Sequence, residues 1–317
     1  MDSKLRSSAC SPSAFHPMAH AAEVAWVFRG HELDPTRQPC RSSPRPAADS
    51  KQHLERTGLM SDIRINSRSG SSTDAEENEL PEPPAQWDVD AHLPTLERES
   101  LNVTQEHLFL ALDHVGSLLT AKGYKWALMG GLALFMHGNR NRNTRDVDVA
   151  VEARPRDVIA ALRDDRIYTP PLLSMAGSGC GRFYVLTGPE YGEKVTRQVV
   201  EVDLILAGHL GAPKSLSGVT TTRTAQTAAG DRTYTVLSVQ ELCRAKLHAL
   251  DQREAERDFS DLEWLCMNYS QEVQDIAGDL DEQERMGFVD KYRERYPGNE
   301  VVVGALTAAL KLEVPSE

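Results

Sequence analysis

Between Trp126 and Glu152 the chain reads WALMGGLALFMHGNRNRNTRDVDVAVE. With Lys125 in front, KWALM is a short apolar run of the kind that forms a buried strand. Gly130-Gly131 interrupts it, LALFMHG reads as a short helix, and NRNRNTR is a polar loop. DVDVAVE then alternates and is rich in β-branched residues, so it reads as the next strand. Two glycines between a strand and a helix let backbone N–H groups come close to a phosphate. Asp146 and Asp148, two residues apart on a strand, share one face. Neighbouring carboxylates repel and drive one of the pair to take a proton. Divalent cations between them resolve that conflict, and such cations also carry nucleotide phosphates.

A third acid comes from VVEVDLIL. Val200, Val202 and Leu204 point to one side of such a strand, Glu201 and Asp203 to the other. If this strand lies beside the Asp146–Asp148 strand, one of the two completes a three-carboxylate site. Asp203 is favoured because it lies deeper in the apolar run, with Glu201 as the fallback. Further on, Lys246, Arg253 and Arg257 are spaced by seven and four residues. On one uninterrupted helix they lie within about 40° of each other, a basic stripe suited to a triphosphate, and a break near Glu254–Asp258 would spoil it.

Outward from this centre the chain divides by composition. Residues 1–95 hold Ser-Pro and Arg-Pro clusters, a Ser/Gly run and an acidic-proline run (DAEENELPEPPAQ), with no sustained apolar period. Such a segment buries too little apolar surface to offset its chain entropy and is expected to be disordered. MSDIRINS, opening at Met60, has the form of an alternative start. His16 and His20 in FHPMAH are four apart, but Pro17 between them and the lack of a third ligand argue against a metal site. Folded structure is expected from Leu101, with a helix carrying Leu108, Leu112, Val115, Leu118 and Leu119 and stopping at Gly123. Pro155 opens a helix; GRFYVLT, RQVVEVDLILA and TYTVL are strands. Ser238 and Glu241 form a capping box, and helices follow through Cys266, across 281–295 and across 299–310. The expected fold class is therefore α/β: a mixed sheet with flanking helices over 101–237, then a helical C-terminal part over 238–312.

The 317 residues, net charge −12 and 26% charged side chains describe a chain able to build a sizeable core, without a basic balance for coating nucleic acid. No apolar run reaches the roughly 18 residues of a membrane span, so no membrane partner is expected. Five scattered cysteines without a C-x-x-C pair suggest neither a disulfide framework nor a zinc ribbon, and point to a reducing, cytoplasmic setting. AGSGCGR superficially suggests a dinucleotide loop, but it precedes a strand instead of following one, so it reads as a turn. Cys180 within it has no histidine partner in view. Arg140, Arg142 and Arg145 concentrate positive charge in the loop before Asp146, as a solvated loop or a contact to phosphate or RNA backbone.

The strand, Gly-Gly turn, short helix, D-x-D and later lone acid resemble the polymerase-beta-type nucleotidyltransferase pattern. The closer resemblance is to the AbiEii-like group of abortive-infection nucleotidyltransferase toxins. It rests on MGGLALFMHGNRNRNTRDVDVAV, with Arg142 and Thr144 just before D-x-D, and on AKLHALDQREAERDFSDLEWL, with Lys246, Arg253, Arg257-Asp258 and Asp261. The likeness covers roughly 124–265. It implies a nucleotidyltransferase fold and transfer of a nucleoside monophosphate from a nucleoside triphosphate to a hydroxyl acceptor. It also implies that Asp146, Asp148 and Asp203 hold two Mg²⁺ ions, that Asp203 helps deprotonate the acceptor, and that Gly130, Gly131, Thr144, Lys246 and Arg253 meet the nucleotide. The acceptor stays open between a tRNA end, a protein hydroxyl and a small metabolite or antibiotic. The alternative is a catalytically inactive nucleotide-binding or scaffold protein that keeps the fold; a two-metal nuclease is a weaker third reading, since the Gly-Gly turn favours triphosphates.

Overall fold

The computed structural model describes residues 89–313. FHPMAH, Met60 and most of the segment expected to be disordered lie outside the described residues. The described chain opens with helix α1 (Val89–Glu99), so the expectation of disorder up to residue 95 is corrected at its end. Val89, Leu93 and Leu96 recur at helical spacing, and Val89 and Leu96 are buried. The acidic-proline run before them and Pro94 inside the helix hid that period.

Helix α2 (Gln105–Ala121) follows, capped by Thr104 and His107, with Leu108, Leu112, Val115 and Leu119 inward. Strand β1 (Lys125–Met129) leads directly into α3 (Gly130–Met136), and β2 (Asp146–Glu152) comes after the polar loop. Next are α4 (Pro155–Ala161), a two-residue β3 (Ile167–Tyr168), α5 (Leu172–Ser178), β4 (Cys180–Thr187) and β5 (Gln198–Leu206). A hairpin of β6 (Thr220–Thr227) and β7 (Gly230–Leu237) completes one mixed seven-stranded sheet in the order β3-β4-β5-β2-β1-β7-β6. Five α-helices finish the described residues: α6 (Val239–Arg253), α7 (Glu256–Asn268), α8 (Ser270–Ile276), α9 (Glu282–Arg295) and α10 (Glu300–Ala309).

The expected α/β class with a helical C-terminal part is what is found. Strand β6 is an addition to the strands expected from the residues. TTTRTAQT is an edge strand whose Ala225 alone is buried, so it lacks apolar alternation and only its threonines hint at it. AGSGCGR forms the end of α5, with Gly179 as a left-handed cap, and the start of β4, the turn before a strand expected of it. A continuous buried cluster runs from Leu108 on α2 through the sheet to Leu310 beyond α10. Val89 and Leu96 instead join Tyr184, Leu186 and Val199 in a smaller cluster on β4 and β5.

Candidate active site

The centre of the sheet brings the acids together. Strands β2 and β5 pair in parallel with Asp146 opposite Glu201 and Asp148 opposite Asp203. Because side chains alternate, all four carboxylates fall on one face. Asp203 is thus joined by the fallback, Glu201. The paired acids lie 55 positions apart in sequence, which makes this juxtaposition invisible to spacing alone. Strand β4 pairs on the other side of β5 and places Arg182 opposite Asp203. Its guanidinium lies 2.9 Å from Glu201 and 3.4 Å from Asp203.

The turn between β1 and α3 closes on these acids. Gly130 has φ +64°, a left-handed conformation, and a Cβ there would fall on the Asp148 carboxylate. A Cβ on Gly131 would lie 2.6 Å from Thr144 Oγ1 and 3.1 Å from Arg142 Nη2. Both glycines are therefore required by close approach, Gly130 also by its backbone angle. Thr144 donates to Asp146 Oδ1 at 2.6 Å. A cleft of about 310 Å³ opens beside this loop, lined by Leu108, Leu132, Phe135 and Arg140 and reaching Arg142 and Thr144.

Electrostatics follow from the crowding. Burial, then the neighbouring Asp146 and Asp203, push the Asp148 carboxyl up to about 8, opposed by Lys246 and Arg253. Burial also raises Asp203 and Glu201, although Arg182 pulls both back. The donor set is all carboxylate oxygen, the chemistry of hard cations such as Mg²⁺, and the strained ionisation of Asp148 is what a cation relieves. The donor chemistry suits such a cation, but among the described residues no three His, Cys, Asp or Glu side chains are grouped so that they could hold a metal ion as they stand. Thr144 holds Asp146 and Arg182 holds Asp203 instead.

The basic residues are arranged differently from the expected stripe. Helix α6 ends at Arg253, Glu254 is left-handed at φ 50°, Ala255 is extended, and α7 starts at Glu256. This break removes Arg257 from the line and leaves it exposed. It also folds Asp258 and Asp261 back over α6. Lys246, the first cation of that expected stripe, is only 7% exposed, with Nζ 2.9 Å from Asp258 and 2.8 Å from Asp261. Arg253 donates twice to Asp258, at 2.6 and 2.9 Å. Burial opposes ionisation of Asp258, but Arg253 and Lys246 outweigh it and hold the carboxyl below its ordinary range. Asp261 also accepts from Arg142 Nε at 2.8 Å. The three arginines of the loop therefore part company: Arg142 turns inward, Arg140 stacks on Phe135 at 4.5 Å, and Arg145 is exposed. Burial, Asp203 and Asp148 push the Cys180 thiol up to about 12, which leaves no thiolate nucleophile near neutral pH.

A family model described as the nucleotidyl transferase AbiEii toxin of type IV toxin–antitoxin systems matches residues 117–288, from within α2 to within α9. The chain belongs to the AbiEii nucleotidyltransferase family. The Gly-Gly turn, D-x-D, Asp203 and the Lys246–Asp261 region of this AbiEii-family chain all lie inside the match, whereas α1 and α10 lie outside it. Among solved structures it is similar to an antigenic nucleotidyltransferase-like protein from Paracoccidioides brasiliensis, at 18% identity over 64% of this chain and 94% of that one, TM-score 0.41. It is also similar to the antibiotic-resistance factor ANT(2'')-Ia, at 12% identity over 62% of this chain and 97% of that one, TM-score 0.32. A tRNA-processing enzyme matches at 12% identity over 62% of this chain and 58% of that one, TM-score 0.26. No curated protein matches the chain.

Proposed function

We propose that this AbiEii-family chain is a Mg²⁺-dependent enzyme that transfers a nucleoside monophosphate from a nucleoside triphosphate to a hydroxyl acceptor. The observation that carries the reading is the parallel β2–β5 register, which sets Asp146 and Asp148 beside Glu201 and Asp203 next to the Gly130–Gly131 turn. Asp146, Asp148 and Asp203 would hold two Mg²⁺ ions, whose charge, when bound, screens the triphosphate and the developing negative oxygens. The acceptor oxygen forms a bond to the α-phosphorus, the α–β bridging P–O bond breaks, and pyrophosphate leaves with the electron pair. The acceptor's proton passes to a carboxylate, the role given to Asp203 with Glu201 beside it. Gly130 and Gly131 allow the polyphosphate to approach the backbone, and Thr144 fixes Asp146. Lys246 and Arg253, which already favour the ionised form of Asp148, supply positive charge near the nucleotide.

The acceptor is a hydroxyl on a tRNA end, a protein or a small molecule. The test is incubation of the purified protein with each α-³²P-labelled nucleoside triphosphate, Mg²⁺ and total cell extract. The labelled species is then identified by size and by nuclease or protease sensitivity. A Mg²⁺-dependent labelled acceptor that disappears with Asp148→Asn is expected. Tight binding of triphosphate with no transfer from any of the four would replace the enzyme by the scaffold reading.

A further inference from the structure

We infer that Arg142 is the cation that contacts the triphosphate and that Asp261, on a distant helix, is the positioning residue that aims it. This rests on the nucleotidyltransferase reading above and names the phosphate contact within that site. Arg142 comes from the loop before β2, and its side chain is only 12% exposed. Its Nε donates to Asp261 Oδ1 at 2.8 Å and its Nη1 to the Asn143 carbonyl at 2.6 Å. A planar guanidinium pinned at two nitrogens has its third fixed in direction. That third nitrogen, Nη2, lies 3.1 Å from where a Cβ on Gly131 would sit, so it faces the turn that admits the polyphosphate.

The charge of the surrounding network supports the same assignment. Arg142, Lys246 and Arg253 are three cations, and Asp258 and Asp261, 0% and 1% exposed, are the two anions they meet. One positive charge is left over. Lys246 is poorly suited to provide it, because its ammonium is a compact charge set between both carboxylates, and reaching a phosphate would take one cation away from two buried anions at once. Arg142 can keep Asp261 on one edge and offer another edge to a phosphate oxygen, a pairing suited to its fork. Lys246 then acts through Asp258 and Asp261, by neutralising the carboxylates that orient the arginines.

The experiment measures binding of the four ribonucleoside triphosphates and the four monophosphates, with Mg²⁺, by isothermal titration calorimetry. The full-length parent is compared with Arg142→Gln, Arg142→Lys, Asp261→Asn and Lys246→Gln, with melting temperatures taken alongside. Arg142→Gln is expected to weaken triphosphate binding by about tenfold or more, the scale of one charge-assisted contact, and monophosphate binding by less than about twofold. Arg142→Lys, which keeps the charge without the fork, and Asp261→Asn, which releases the aim, should each lose part of that preference. A merely structural role lowers both affinities together. If the parent prefers triphosphates and Arg142→Gln keeps the preference while Lys246→Gln loses it, this inference falls and the nucleotidyltransferase reading stands. If the parent has no preference for triphosphates, both fall.

Discussion

Gly130 meets two requirements at once, a left-handed backbone and the absence of a Cβ against Asp148. For any other residue the backbone alone costs about 1–2 kcal/mol, and the collision with the carboxylate adds to it. Gly130→Ala should therefore melt several degrees below the parent by differential scanning fluorimetry and lose transfer activity; an unchanged melting temperature would contradict the turn described. Asp148 makes the opposite prediction. Its carboxylate is disfavoured in the folded state by burial and by Asp146 and Asp203. In chelator, Asp148→Asn should melt at the parent's temperature or above, whereas with Mg²⁺ and triphosphate it should gain much less than the parent. The pH dependence has a definite sign. The folded carboxyl holds its proton up to about 8 and the unfolded one only to about 4, so the folded state binds more protons between these values. Chelated parent should lose stability as pH rises through that window, and Asp148→Asn should flatten the curve. A parent that gains stability over the same range would indicate a structural aspartate.

At the scale of elements, one boundary resolves a break that the residues leave open and another differs from what they suggest. Helix α6 stops at Arg253 because Glu254 takes a left-handed cap, a conformation usually given to glycine, and nothing in EAERD announces it. The stop turns a presumed basic stripe into a buried ion-pair network, since it lets Asp258 and Asp261 reach Lys246. Helix α1 carries its signal at Val89, Leu93 and Leu96, but the proline-rich surroundings mask it. The helix lies against Tyr184, Leu186 and Val199 on β4 and β5, and Tyr184 donates to Glu201 at 3.3 Å. Burial of Val89 and Leu96 contributes roughly 3–6 kcal/mol before ordering entropy. A chain beginning at residue 86 should thus be clearly more stable to urea than one beginning at residue 101. Equal midpoints would show that α1 contributes nothing to the sheet.

Across the whole molecule, the class of fold and the order of most elements were legible, because β1, β2, β5 and α2 have clean apolar periods. What was not legible depends on contacts between distant segments: which strand lies beside which, and where a buried lysine finds its partners. Local pattern fixes which face a residue occupies, not which neighbour meets it there. Strands β1, β2 and β5 lie at the sheet centre, while β3 and β6 form its edges. Amide hydrogen exchange should accordingly be slowest at Ala127–Leu128, Val147–Val151 and Val202–Leu204 and fast along 220–227. Exchange as slow along β6 as along β2 would mean that the edge is covered in solution.

The parallel pairing of β2 with β5 has a further consequence for the life history of the molecule. Parallel neighbours whose paired residues lie 55 positions apart must wait for each other, and β1 waits longer still for β7. On the ribosome, a nascent chain carries Asp146 and Asp148 well before Asp203 has been added, and the partners of Lys246 come later again. An incomplete translation product therefore has Asp146 and Asp148 without the assembled carboxylate face. The four-carboxylate face is thus completed late and together with the finished sheet.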